Sequence, residues 1–242
     1  MRFFTGLHQP SDARHFSSAF ISVNRLRQRA RPERVEVNDW IMDSGAFTEL
    51  SRYGRYRSTP AVYAEEARRW RRVGNLLAIV AQDYMCEPVI IRQTGLSVVE
   101  HQQLTIERYD ALLAADPGVY VMPVLQGYAP GEYVDHLEAY GDRLPDGAWV
   151  GVGSVCKRNG NVLSILRVLA TIRDARPDLR LHGFGLKATA LAFGPIRDML
   201  HTADSMAWSY AARREGRNAN DWREARDFTE RLTQPSQLPL AL

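Results

Sequence analysis

Apolar residues in this chain gather in short runs that end on polar or glycine residues, and stretches with helical spacing lie between them. The runs cover 2–7, 35–43, 76–83, 119–126, 149–153, 181–185 and 202–205. Runs of this length, flanked by turn formers, read as buried strands. The intervening stretches predict helices at 16–28, 59–73, 97–115, 132–140, 161–175 and 189–199, and Thr59 followed by Pro60 gives a start signal for the second of them. Such alternation argues for parallel βα units, and the fold it predicts is α/β, a (β/α)8 TIM-type barrel. Seven strands are evident. An irregular eighth is expected over 207–211, or the barrel lacks it. A closing helix is expected at 221–232, which makes 1–232 one domain and 233–242 a tail.

A length of 242 residues suits one such barrel. No apolar run approaches the 20 or so residues of a membrane span, and Met1-Arg2-Phe3-Phe4 does not open a signal peptide. A cytoplasmic protein with no membrane association is therefore expected. Cys86 and Cys156 are too far apart in sequence for a Cys-rich zinc motif and are expected as thiols. The six histidines never occur as His-x-His or His-x-x-x-His, so neither a metal nor a cofactor is expected.

Charge changes the picture more than composition does. The net charge is only +3, yet Lys157 and Lys187 are the only lysines among 31 basic residues. Arginine's planar fork suits phosphate. Arg68, Arg69, Arg71 and Arg72 fall in a helical stretch and read as a solvated face. Arg52, Arg55 and Arg57, with Arg213, Arg214 and Arg217, closely follow predicted strands and are candidates for gripping a nucleic-acid backbone.

The strand ends carry Asp43, Asp83, Gln126, Gly153, Gly185 and Asp204. In a barrel those ends converge on one face. Two of the three aspartates suffice for covalent chemistry at a sugar carbon, one attacking the anomeric centre and the other moving protons. The third could accept hydrogen bonds from a guanine-like base, with a glutamine amide and a backbone N–H donating to its O6. For each aspartate singly, a helix cap is the competing role.

The ordered series Asp43-Ser-Gly-Ala-Phe47, Gln82-Asp83, Leu125-Gln126-Gly127, Gly151-Val-Gly153-Ser154, His182-Gly-Phe-Gly185 and Ala203-Asp204-Ser205-Met206 resembles the tRNA-guanine transglycosylases (queuine tRNA-ribosyltransferases) over about residues 40–213. That resemblance implies Asp204 as nucleophile, Asp43 as general acid/base, and Asp83, Gln126 and Gly153 as the base-recognition set, with Ser154 and Gly185 beside them. It implies Phe47 as a stacking aromatic, with core packing as the alternative, and His182 near the opposite wall. The Cys-rich zinc segment of the tRNA enzymes has no counterpart after Asp204. The chain is thus most similar to the zinc-free DpdA-type transglycosylases of phages and bacteria, which insert 7-deazaguanine bases into DNA. No carboxylate occurs in Ser154-Val155-Cys156-Lys157-Arg158. A neutral 7-substituent, the nitrile of 7-cyano-7-deazaguanine, is expected. The implied partners are DNA and the free base, with a homodimer or accessory modification proteins left open. The alternatives are a zinc-free tRNA transglycosylase and a non-catalytic nucleic-acid-binding subunit.

Overall fold

Short β-branched and leucine-rich runs fold into strands because both of their faces are covered, one by the barrel interior and one by helices. The computed structural model describes residues 1–32, 35–158 and 161–233. Its strands are β1 (Arg2–Gly6), β2 (Ser18–Ser22), β3 (Asp39–Asp43), β4 (Asn75–Val80), β5 (Tyr120–Met122), β6 (Val124–Leu125), β7 (Trp149–Val152), β8 (Arg180–Gly183) and β9 (Thr202–Ser205). All neighbours pair in parallel, in the order β5-β4-β3-β2-β1-β9-β8-β7-β6.

The two ends of that order are halves of one run, parted by Pro123, which has no N–H to offer a ladder. Ala81 N–H donates to the Met122 carbonyl at 3.0 Å on one side, and Gly151 N–H donates to the Pro123 carbonyl at 2.8 Å on the other. The sheet therefore curls into a TIM-type barrel whose ladder, among the described residues, lapses at this seam. Counting the interrupted run once, the described residues form eight strands of the barrel.

The strand missing from the sequence pattern is β2, which lies inside the expected helix at 16–28. Four of its five residues are buried, so it shows no alternation, and Phe16, Phe20, Val23 and Leu26 mimic the spacing of a helix face. Only the single turn Val23–Leu26 is helical there. The stretch at 207–211, expected as the eighth strand, instead opens the helix Ala207–Arg214. Its Trp208 is buried and donates its indole N–H to the Gly6 carbonyl at 2.8 Å. The helix expected at 189–199 is two pieces, Ala188–Leu191 and Gly194–Met199, with Pro195 opening the second. Past Thr233 the expected tail lies outside the described residues.

Register fixes what enters the barrel. Phe4 stands beside Asp204, Ser22 beside Asp43, and Gly151 beside His182. Below the strand ends the interior is filled by Phe4, Phe20, Trp149 and His182, whose rings lie within 6.5 Å of one another where they meet. At the opposite mouth Arg2 donates to Ser18 and Asp39, and Asn75 donates to Asp39, which ties β1, β2, β3 and β4 together. The helix Trp222–Thr233 buries Ala225 and Phe228 against the outside of β1, with Phe3 and Phe228 ring centroids 6.2 Å apart. Among the described residues no helix is long and apolar enough to cross a membrane.

Candidate active site

A cavity of about 350 Å³ opens at the C-terminal ends of the strands. Its lining draws Asp43 from β3, Asp83 from beyond β4, Gln126 from beyond β6, Gly153 and Ser154 from beyond β7, Gly185 from beyond β8 and Asp204 from β9. Phe47 also lines it, at 51% exposure. That exposure sets Phe47 at the cavity mouth and not in the core.

Asp204 is held on one side of the cavity. Its Oδ1 accepts the Gly185 N–H at 3.1 Å and meets His182 Nε2 at 3.2 Å. Gly185 takes a φ of +62°, and that left-handed turn aims its amide back at β9. His182 is fully buried, and its role beneath Asp204 is legible from its partners: Trp149 Nε1–H donates to Thr202 Oγ1 at 2.8 Å, and Thr202 Oγ1 lies 2.8 Å from His182 Nδ1. A carboxylate only accepts, so His182 Nε2 carries the hydrogen that it donates to Asp204, and in that tautomer Nδ1 accepts from the Thr202 hydroxyl. Both of these donors fall on Oδ1, leaving Oδ2 as the carboxylate oxygen for other chemistry. His182 is therefore a support under Asp204, one layer below the cavity lining.

Asp43 sits across from it. Its carboxylate accepts the Gly45 N–H at 3.1 Å, and the nearby Ser22 hydroxyl and Ser44 amide also favour its charged form. Burial, and then the charge of Asp204, nonetheless push its pKa up to about 6. Gly45, at a φ of +78°, makes the turn that brings these amides round before the helix Ala46–Tyr53.

Asp83, beyond the neighbouring strand β4, centres a second cluster. Its carboxylate accepts from the Gln126 amide and, at 3.5 Å, from Ser44 Oγ, while Tyr56 O–H donates to its backbone carbonyl at 3.1 Å. Burial, followed by the charge of Asp43, pushes the Asp83 pKa up to about 7. Gln126 Oε1 accepts from Ser154 Oγ at 2.8 Å and from Cys86 N–H at 3.4 Å, which fixes the amide with its NH2 toward Asp83. A Cβ on Gly153 would come within 2.1 Å of Gln126 Nε2, so only glycine lets the β7 backbone approach this amide.

Sequence reading missed the scaffold behind this cluster. Gln102 Nε2–H donates to the Gln126 carbonyl at 2.8 Å, and His136 Nδ1 accepts the Gln126 N–H at 2.8 Å. Burial drives the His136 pKa down to about 4, in keeping with a neutral ring. Their signal was a polar pair on the buried faces of two helices, Val98–Ala114 and Pro130–Tyr140, indistinguishable in sequence from surface positions.

The arginines divide into two groups. Arg57 pairs with buried Glu49, and Arg217 pairs with Glu215 and Glu224. Arg52, Arg55, Arg213 and Arg214 are exposed and enter no ion pair among the described residues. No three His, Cys, Asp or Glu side chains among the described residues are grouped to hold a metal ion.

Three carboxylates on one cavity, one held by two donors and two made reluctant to ionise, can attack an electrophilic carbon, move a proton and bind a donor-rich ring. The family described as DpdA, DeoxyPurine in DNA protein A, matches residues 1–220, and the chain belongs to it. No curated protein matches the chain.

Proposed function

We propose that this DpdA-family protein modifies DNA by exchanging guanine for a 7-deazaguanine base, 7-cyano-7-deazaguanine being the favoured guest, through a covalent glycosyl-aspartate. The observation that carries the reading is the division of the cavity into Asp204 with Asp43 on one side and Asp83 with Gln126 on the other. The family's description, a deoxypurine in DNA, supports the polymer.

The target nucleotide must leave the helical stack to bring its anomeric carbon into the cavity. Asp83 accepts the N1–H and exocyclic N–H of guanine, Gln126 and the Gly153 region contact its O6 edge, and Phe47 covers its face at the mouth. Asp204 Oδ2 attacks C1′ while the N-glycosidic electron pair leaves with the guanine, which takes a proton from Asp43. Attack neutralises the Asp204 charge, one of the influences that raise the Asp43 pKa, so bond formation itself makes Asp43 a stronger acid. Guanine departs and the deazaguanine base enters. Asp43 removes the proton from N9, N9 attacks C1′, and the ester bond to Asp204 breaks to restore the carboxylate. No water is consumed, and one glycosidic bond replaces another.

The test supplies guanine-containing DNA, tRNA and 7-cyano-7-deazaguanine to the purified protein and follows the nucleosides by mass spectrometry. Incorporation into DNA is expected, together with an intact-protein mass increase equal to one glycosyl-DNA strand. Asp204→Asn removes both, because the amide is a poor nucleophile of the same shape. Incorporation into tRNA with DNA untouched would replace the DNA reading.

A further inference from the structure

His8, just beyond β1, lies between two arginines that come from different parts of the chain. Its Nδ1 is 3.5 Å from the guanidinium of Arg25, in the turn after β2, and its Nε2 is 2.7 Å from Ser209 Oγ, in the helix after β9. Arg213, one turn further along that helix, is near enough for its charge to act on His8 as well. Trp208 packs its ring edge-on at 5.7 Å and anchors the helix to β1 through Gly6. Met206, at the start of the same segment, and Ser22, at the end of β2, both line the cavity. The cluster therefore sits on the cavity rim, over β9, which carries Asp204, and over β1 and β2, the last of which pairs with the strand of Asp43.

Like charges gathered without a carboxylate are unfavourable unless something anionic joins them. Arg25 and Arg213 are exposed, and neither enters an ion pair among the described residues. The hydrogen-bond roles are settled by chemistry. A guanidinium only donates, so His8 Nδ1 accepts from Arg25 and Nε2–H donates to the buried Ser209 Oγ, which fixes the ring between them. Burial, then Arg25 and Arg213, lower the His8 pKa, which fits a neutral ring in this electropositive corner.

We propose that Arg25 and Arg213, braced by His8 and the buried Ser209, bind one backbone phosphodiester next to the nucleotide whose base enters the cavity. The site rests on the nucleic-acid reading above but makes a narrower claim about where the backbone runs. It passes over the β9–β1–β2 side of the rim, and Arg57 and Arg217, already paired with carboxylates, take no part. Two guanidinium forks suit the oxygens of a phosphodiester.

The experiment titrates the protein with a guanine-containing single-stranded oligodeoxynucleotide at several salt concentrations and follows His8 by NMR across pH. Bound phosphate offsets the two arginines, so the titration midpoint of His8 rises when the oligonucleotide is present. Arg25→Ala and Arg213→Ala each lower the magnitude of the log–log salt slope by about 0.7, whereas Arg25→Lys keeps it. Arg143→Ala serves as the control, since Arg143 pairs with Asp110 and precedes β7, at the opposite end of the barrel. An unmoved His8 midpoint, wild-type slopes in both alanine variants, or no binding of the oligonucleotide overturns the site. Base exchange is assayed on the same oligonucleotide. Loss of exchange with the His8 response intact defeats the transglycosylase reading and leaves the phosphate site standing.

Discussion

Two carboxylates that resist ionisation give single residues measurable consequences. Asp83, with a pKa near 7, and Asp43, with one near 6, hold protons more tightly in the folded chain than in the unfolded one, where an aspartate titrates near 4. The contribution of these two carboxylates to folding stability in the absence of ligand is therefore fullest at about pH 4 and below and declines as pH rises toward 7, the reverse of a salt-bridged carboxylate, while buried His136 acts in the opposite sense as pH falls from 6.5 toward 4. Asp83→Asn removes this decline at its site and, at about 1.4 kcal/mol per pKa unit, should raise stability at pH 8 by up to about 4 kcal/mol while changing little at pH 4. Urea unfolding of the two proteins at both pH values checks this, and equal stability gains at both values would show that Asp83 is ionised without penalty. Base binding should move the other way. Replacing the carboxylate with an amide leaves base N–H groups facing a weaker acceptor, so affinity for the free deazaguanine should fall about 10-fold or more, as read by calorimetry. A variant that gains stability while losing affinity is what a binding carboxylate predicts and a helix cap does not.

At the scale of elements, the order of strand-terminal motifs was legible because each is a short fixed string at the tip of a buried run. Asp43, Asp83, Gln126, Gly153 and Asp204 do line one cavity. The barrel class was legible for the same reason, since Trp149–Val152 and Thr202–Ser205 begin and end where apolar runs do. β2 was not legible, because a strand buried on both faces has no period-2 signal and its flanks supplied a period near 3.6. Pro123 read as part of one strand and is the ladder's seam. The division of the arginines was equally invisible, because the partners of Arg57 and Arg217, Glu49 and Glu224, are set by how helices and loops return on themselves. The close approach of β7 to Gln126 carries its own prediction. Gly153→Ala places a methyl group where the Gln126 amide lies, 2.1 Å away, so the amide must swing off Asp83. Free-base affinity should fall at least 10-fold with a smaller loss of thermal stability, because the altered contact belongs to the cavity. Unchanged affinity would mean that the Gln126 amide takes no part in base recognition.

Across the whole molecule, the Asp204 group and the Asp83–Gln126 group occupy opposite arcs of one barrel, and different packing holds each in place. The Asp83 and Gln126 arc is braced from outside by Gln102 and His136 on the helices Val98–Ala114 and Pro130–Tyr140. The Asp204 arc depends on β9 keeping register with β1, where Asp204 stands beside Phe4. The cover on that side is the helix Trp222–Thr233, beyond the stretch matched to the family, which lays Ala225 and Phe228 on the core and sets Thr229 Oγ1 3.0 Å from Thr5 Oγ1. Phe228→Ala opens a cavity under this helix and should cost about 3 kcal/mol in denaturant unfolding. Free-base binding, which lies on the other arc, should keep its wild-type affinity well below the new melting temperature. Covalent adduct formation should decline as the helix loosens and β9 loses its alignment. A variant that lost base affinity in step with adduct formation would show that the two arcs open together, and the barrel would then have to be treated as a single cooperative frame.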